Sequence, residues 1–201
     1  MACNIGRGAD CTPGYFSFVT EEITTTAGDA GSSRKDLGEM ARILAIASGG
    51  GHWVELRRIL PAFEGLDVAY ASRHPESAGD VPGYDYYTFC DFSRFSRQNF
   101  LPLFFQIVRI LASVRPRIVI TTGSAPALLA LVLAKIFLRS KTVWIDSIAN
   151  VDHLSSSGSL ARYFADIWLT QWKHLSDAKG PHYWGAVIDV MHWKSGGTSA
   201  G

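Results

Sequence analysis

Ile43-Leu-Ala-Ile-Ala47 is an unbroken apolar run that stops at Ser48-Gly-Gly-Gly51 and gives way to apolar residues at positions 53, 56, 59, 60 and 63. Such a run is a strand buried on both faces, the glycines form a tight turn, and the new spacing is that of a helix. The same pattern returns at residues 118–122, which close on Gly123 before a helix over 125–138, and at 142–145, which close on Asp146. Further strands are predicted at 67–71, 84–89 and 167–170, with a last one at 183–187, and further helices at 98–114 and 158–164. Strands alternating with helices predict an α/β fold, a Rossmann-like doubly wound parallel sheet, in which ligands sit beyond the carboxyl ends of strands. A chain of 201 residues has room for one such domain, placed at 41–193. The Gly- and Thr/Ser-rich residues 1–40 are expected to be a flexible leader, and 194–201 a disordered tail.

Three strand-end loops collect the groups that could do chemistry. Ser48, Gly49, Gly50 and Gly51 present backbone N–H groups at a helix start, where they and the helix dipole favour a phosphate or diphosphate. The competing reading is a turn that only lets strand and helix pack closely. A dinucleotide fingerprint counted from Gly49 needs glycine at position 54, which is Val54, and Ser72-Arg73 stands where the ribose-binding acid belongs. His52 opens the helix, either as a functional group or as a solvated helix-start histidine. In Thr121-Thr-Gly-Ser-Ala-Pro126, Gly123 and Ser124 would hold a second anionic group, or Ser124 simply caps the helix. Trp144-Ile-Asp-Ser-Ile-Ala-Asn150 puts a carboxylate, a hydroxyl and an amide at one edge of the sheet. Asp146 is there as a general base or substrate-orienting group, or as the cap of its own turn.

The formal net charge of +1 hides an uneven distribution. Residues 92–145 carry eight basic side chains and no acid, whereas the rest of the chain carries 11 basic and 18 acidic ones. Phe89, Phe92, Phe95, Phe100, Phe104 and Phe105 crowd the same region, interleaved with Arg94 and Arg97. On the helix from 98, positions 100, 104, 107, 111 and 114 make a core stripe, yet 101, 105, 108 and 112 are apolar as well. Either another part of the protein covers that second face, or it lies in a membrane interface with arginines on anionic headgroups. The missing acids favour the membrane, with Arg94, Phe95, Arg97, Phe100, Leu101, Phe105 and Arg109 as the contact residues. Helical spacing of the Phe residues, with no RNA-binding motif, argues against nucleic acid. No apolar run reaches the roughly 20 residues that cross a bilayer, and the start lacks a secretory pattern. Cys3, Cys11 and Cys90 form no CxxC pair, which points to a reducing compartment and away from structural zinc. A cytoplasmic protein attached peripherally to the membrane is expected.

Five blocks, taken in order, carry a resemblance: Ile46-Ala-Ser-Gly-Gly-Gly-His52, Arg115-Pro-Arg-Ile-Val-Ile-Thr-Thr-Gly-Ser124, Lys141-Thr-Val-Trp-Ile-Asp-Ser-Ile-Ala-Asn150, Asp166-Ile-Trp-Leu-Thr-Gln-Trp172 and Tyr183-Trp-Gly-Ala-Val187. Over about residues 41–190 the chain resembles the oligosaccharide-biosynthesis family. That family contains the membrane-side subunit of the eukaryotic two-part N-acetylglucosaminyltransferase and the bacterial exopolysaccharide subunits PssD, CpsF and EpsE. The resemblance implies the N-terminal, acceptor-binding half of a GT-B glycosyltransferase. A separate small subunit would bind the UDP-sugar, and the active site would form between the two. It maps the family's glycine loop and histidine onto Gly49, Gly50, Gly51 and His52, and its acidic loop onto Asp146 with Ser147 beside it.

The function expected from this is transfer of a sugar from a UDP-sugar to a polyprenyl-diphosphate-linked saccharide at the membrane surface. His52 or Asp146 would be the base, and Ser48, Gly49, Gly50, Gly51, Gly123, Ser124, Ser147 and Asn150 would bind substrate or diphosphate. No DxD-type carboxylate pair is present, so no metal is expected, and no cofactor beyond the UDP-sugar donor substrate. The rival from another class is a non-catalytic anchor that recruits the catalytic subunit. An NADP-binding protein using Arg73 is a third reading, with the missing glycine against it.

Overall fold

The computed structural model describes residues 42–90 and 100–187. The leader and tail expected at 1–40 and 194–201, the outer limits of the domain, and Arg94, Phe95 and Arg97 lie outside the described residues.

Six strands, β1 (Ile43–Ile46), β2 (Val68–Ser72), β3 (Asp85–Thr88), β4 (Ile118–Thr121), β5 (Lys141–Ile145) and β6 (Ile167–Leu169), form one sheet in the order β3-β2-β1-β4-β5-β6. Every pairing is parallel; Ile46 lies between Ala71 and Thr121, and Thr121 pairs with Trp144. From β1 in the middle of the sheet the described chain winds outward to β3, returns at β4 on the other side of β1 and winds outward again. Its loops after β1 and β4 therefore leave neighbouring strands, and a crevice opens where the winding reverses.

The unbroken apolar run of β1 is explained by two covered faces. Ile43 and Ala45 point into one core, Leu44 and Ile46 into the other. Helix α1 (Gly51–Arg58) closes the first face with Trp53 and Leu56. Helices α2 (Phe100–Val114) and α3 (Ala125–Leu133) pack side by side on the second. Leu103, Ile107, Ile110, Leu111 and Val114 of α2 meet Ala127, Ala130 and Leu133 of α3 in that core. The short helix α4 (Ser156–Ala161) sets Ala161 against the fully buried Trp144. Each fully buried large side chain stabilises by roughly 1.5–3 kcal/mol relative to exposure.

Several boundaries differ from the sequence expectation. The helix expected over 52–63 ends at Arg58, and a 3-10 turn, Leu60–Phe63, follows, because Pro61 has no N–H to continue the α ladder. The helix expected over 125–138 changes at Ala134 into a π turn, Ala134–Leu138, closed by Arg139 with a left-handed φ of 54°. The helix expected at 158–164 starts earlier, at Ser156, because Ser155 caps it. Residues 183–187 form no strand; the bridge to β6 is made by His182 opposite Leu169. Beyond it Trp184 packs on the α1-side core and Val187 is buried in it, so these apolar residues answer to burial, not to strand pairing.

Candidate functional site

The crevice holds a cavity of about 440 Å³. Its walls are Gly51 and His52 from the loop after β1, Ser124 from the loop after β4, and Ser147, Ala149, Asn150, Ser155, Ser156 and Ser157 from the loop after β5. Three loops distant in sequence thus meet, as the strand pattern requires.

The first two loops are locked together. His52 Nδ1 lies 2.9 Å from the carbonyl oxygen of Thr122, and Thr122 Oγ1 donates to the carbonyl of His52 at 2.6 Å. A carbonyl only accepts, so Nδ1 carries the proton and Nε2 is left as the acceptor of the ring. The ring lies so close to Gly123 that a Cβ there would stand 2.8 Å from His52 Cε1, and φ at Gly123 is 122°. Gly49 is fixed in the same way, with φ 129° and a Cβ position 2.3 Å from His74 Cδ2. Gly51 is different. It has an ordinary helical backbone and nothing within 4 Å of a built Cβ, so the space above it belongs to the cavity. The N–H groups in the first turn of α1 border this space, a favourable setting for an anion; at α3 the cap takes the Ala127 N–H and Pro126 has none, which leaves the Ala125 N–H.

Ser48 uses its carbonyl to accept from Ser72 Oγ at 3.3 Å, and Ser124 Oγ accepts from Ala127 N–H at 3.4 Å as the cap of α3. Ser48, Gly49, Gly50 and Gly123 shape the loops, whereas Gly51, His52, Ser124, Ser147 and Asn150 line the cavity.

Asp146 lies behind the cavity wall, 1% exposed. Its Oδ1 accepts from Ser155 Oγ at 2.6 Å and Trp144 Nε1 at 3.3 Å, and its Oδ2 from Ser155 N–H and Asn150 Nδ2, both at 3.1 Å. Of the roles left open by the sequence, the geometry is that of a carboxylate holding its own loop. Gly158 is glycine for this reason, since a Cβ there would stand 2.3 Å from Asp146 Oδ1. Trp172 Nε1 donates to the Ile148 carbonyl at 2.8 Å, and His174 Nε2 reaches the Val151 carbonyl at 2.6 Å, pinning the far side of the loop.

Two groups escaped the sequence reading. Glu55 of α1 is 2% exposed; Ser147 Oγ donates to its Oε1 at 2.6 Å and Gln171 Nε2 to its Oε2 at 2.9 Å. Burial pushes this carboxyl up from 4.5 to about 7, against the hydrogen bonds that favour its charged form. Gln171 also donates to the Asp146 carbonyl at 3.0 Å and accepts from Val187 N–H at 2.9 Å, so one network joins α1, the β5 loop and the chain after β6. The signal was position: residue 55 shares the buried helical face with 56 and 59. The second group is Ser155–Ser157, where a serine three residues before Gly158 marks a helix cap; Ser155 Oγ accepts from Gly158 N–H at 2.8 Å.

Of the expected membrane residues, Phe100, Leu101 and Phe105 are 45%, 63% and 66% exposed, and Arg109 is exposed as well. Among the described residues no helix is long and apolar enough to cross a membrane.

The architecture has a known counterpart. MurG of Acinetobacter baumannii superposes with a TM-score of 0.52 at 12% identity, over 73% of this chain and 44% of that one. Anabaena HepE, solved with UDP and glucose, gives a TM-score of 0.43 at 15% identity, over 65% of this chain and 37% of that one. The chain thus spans less than half the length of either protein. No curated protein sequence matches it. Residues 94–187, from the segment before α2 to the end of the described chain, match the family model described as "Oligosaccharide biosynthesis protein Alg14 like".

Proposed function

We propose that the chain is the acceptor-binding, membrane-associating subunit of a two-component glycosyltransferase, which moves a sugar from a UDP-sugar to a polyprenyl-diphosphate-linked saccharide. The observation that carries this reading is the cavity at the reversal of the sheet, with His52 held by Thr122 so that Nε2 is free to accept a proton. The match of residues 94–187 to an oligosaccharide-biosynthesis family and the span of 44% of MurG support it.

In this reading the acceptor diphosphate lies against the helix starts at Gly51 and Ser124, and Asn150 Oδ1, its amide nitrogen being spent on Asp146, accepts from a sugar hydroxyl. His52 Nε2 takes the proton of the acceptor hydroxyl as its oxygen attacks the anomeric carbon. The bond from that carbon to the diphosphate oxygen breaks, its electron pair leaves with UDP, and the configuration inverts. Asp146 positions the loop and stays out of the proton transfer. The donor UDP-sugar is brought by a small partner subunit, and no metal or further cofactor takes part. Leu101, Phe105 and Arg109 of α2 hold the subunit to the cytoplasmic face of the membrane.

The test is transfer from labelled UDP-sugars to membrane lipid by the chain co-expressed with its donor-binding partner. Substituting His52→Gln is expected to lower turnover by about 10²–10⁴-fold, the usual contribution of a general base, with the complex intact. Undiminished transfer by this variant returns the chain to the role of a non-catalytic anchor, and transfer by the isolated chain contradicts the two-component reading.

A further inference from the structure

We propose that the tip of α3, at the amino edge of the sheet, is a second contact with an anionic bilayer, so that the α2–α3 layer lies along the membrane surface. This rests on the membrane reading above, in which lipid contact was assigned to α2 and the segment before it.

Helix α3 does not stop when its α-helical ladder ends at Leu133. It runs on through the π turn Ala134–Leu138 beyond the core. Ile136, Phe137 and Leu138 are 57%, 74% and 39% exposed, and Phe137 is the most exposed large apolar side chain among the described residues. Apolar residues scattered singly over a surface are ordinary; three in succession on a protruding turn are not. The core does not need them, because Leu133 and Ala134 already seal that end of α3.

Two basic turns adjoin this tip. Ser140 Oγ donates to the Pro116 carbonyl at 2.7 Å and Lys141 N–H to the Arg117 carbonyl at 2.8 Å, which joins the turn before β4 to the turn before β5. Arg115, Arg117, Arg139 and Lys141 are gathered there, all exposed. Among the described residues none of the four has an acidic partner. Of the acids at this edge, Asp166 is engaged by Lys135 and Thr142, and Asp67 and Asp85 by Arg42, while the exposed Glu64 stands before β2, two strands away from β4. An apolar turn ringed by unpaired cations matches an interface of acyl chains beneath anionic headgroups, where long basic side chains lay their stems on the apolar part.

The tip is continuous with the surface on α2. Leu101, Phe105 and Val108, at intervals of four and three residues, form an outward stripe that is 63%, 66% and 39% exposed. Both helices start at the carboxyl edge of the sheet, end at its amino edge and pack on each other, so stripe and tip belong to one layer. The stripe is centred on Phe105, nine residues before the end of α2 at Val114, which at about 1.5 Å per residue sets it roughly 14 Å from the level of the tip. Two contacts so far apart fix an orientation: the sheet lies along the bilayer, and the cavity opens sideways at headgroup height, where a lipid-linked diphosphate would be met.

The experiment is co-sedimentation of the full chain with vesicles of phosphatidylcholine, alone or with about a third phosphatidylglycerol. Three double variants are compared: Ile136→Ser with Phe137→Ser, Arg139→Asn with Lys141→Gln, and Leu101→Ser with Phe105→Ser. Circular dichroism is used to confirm that each is folded. The wild type is expected to prefer anionic vesicles, and both tip variants to lose about tenfold or more in partition, comparable to the α2 variant. Tip variants that bind as the wild type does, while the α2 variant fails, overturn this proposal and leave the α2 contact standing. Equal partition into neutral and anionic vesicles, or tip variants that lose self-association while retaining vesicle binding, also overturn it. A wild type that binds no vesicle removes the membrane reading itself.

Discussion

Glu55 gives the sharpest test of the structure, because its environment converts directly into a pH dependence of stability. Its carboxyl is pushed from 4.5 to about 7 in the folded protein, chiefly by burial, so the folded state holds the proton more tightly than the unfolded chain. Below about pH 4.5 both states are protonated and the contribution to stability is fully present. As pH rises from there to about 7 the unfolded chain releases its proton first, and stability falls by about 1.4 kcal/mol per pH unit. By pH 8 both states are ionised and about 3 kcal/mol has been lost, the interval from 4.5 to about 7 at that slope. Glu55→Gln removes the titration. It keeps both partners, since its Oε1 can accept from Gln171 Nε2 while its NH2 donates to the Ser147 hydroxyl, which accepts as well as donates. Urea unfolding of both proteins from pH 5 to pH 8, followed by tryptophan fluorescence, is expected to show the wild type losing about 2.5 kcal/mol more than the variant, since part of the total is already lost at pH 5. Other titrating groups cancel in the difference. Profiles that run parallel across this range refute the assignment of a buried, proton-retaining carboxylate.

Gly51→Ala separates folding from binding: with ordinary helical backbone and open space at its Cβ, alanine should stabilise by about 0.4–1 kcal/mol, yet weaken acceptor binding measured by KM, and unchanged KM places the ligand elsewhere. Gly123→Ala imposes a left-handed φ on alanine and drives a Cβ into His52; a cost of about 1–3 kcal/mol in thermal denaturation with a disproportionate loss of transfer is expected, and full activity refutes the role given to the ring. Ser155→Ala removes both the cap of α4 and the 2.6 Å bond to Asp146, so a loss of about 2 kcal/mol is expected, and one below about 0.5 kcal/mol shows that the carboxylate does not depend on it.

The parallel sheet was legible because β1 is an unbroken apolar run, β4 and β5 carry apolar stretches interrupted only by Thr and by Lys141 at the start of β5, and each is followed by glycine or Asp as punctuation at its carboxyl end. Those punctuation marks also located the cavity. Less legible was direction. Asp146 as a residue type fits a base and a cap equally, and only the placement of Trp144, Asn150 and Ser155 around it decides where its lone pairs go. Glu55 was legible in principle, since an acid between Trp53 and Leu56 on the buried side of a helix requires partners, but those partners come from residues 147 and 171. The π turn after α3 could not be read at all: Lys135-Ile-Phe-Leu138 continues a helical pattern, and the change of ladder is set by Arg139 and by Ser140 N–H donating to the Ala134 carbonyl at 3.2 Å.

The charges of the molecule are divided in a way that makes binding and attachment separable. Among the described residues, Gly, His, Ser, Ala and Asn stand around the cavity, with no Lys, Arg, Asp or Glu. Glu55 and Asp146 are sealed behind its wall, Asp152 is the exposed acid of the β5 loop, and exposed cations gather at the amino edge, with Arg109 alone on α2. Under the proposed function, a diphosphate in the cavity would be held by fixed N–H dipoles, chiefly at the start of α1, whereas attachment to an anionic bilayer would rely on exposed, mobile charges. Salt acts on these unequally. Exposed charges are screened over about 8 Å at physiological ionic strength and about 3 Å at 1 M, while preorganised dipoles touching their ligand are screened far less. Raising salt from about 0.05 M to about 0.5 M should release the chain from anionic vesicles. Over the same range, transfer to a short-chain, water-soluble acceptor by the assembled pair should change by less than about twofold, because nothing in the cavity is a mobile charge. A parallel fall of both would mean that the acceptor diphosphate is held by the surface arginines, and that the cavity between His52 and the serines of the β5 loop is not its site.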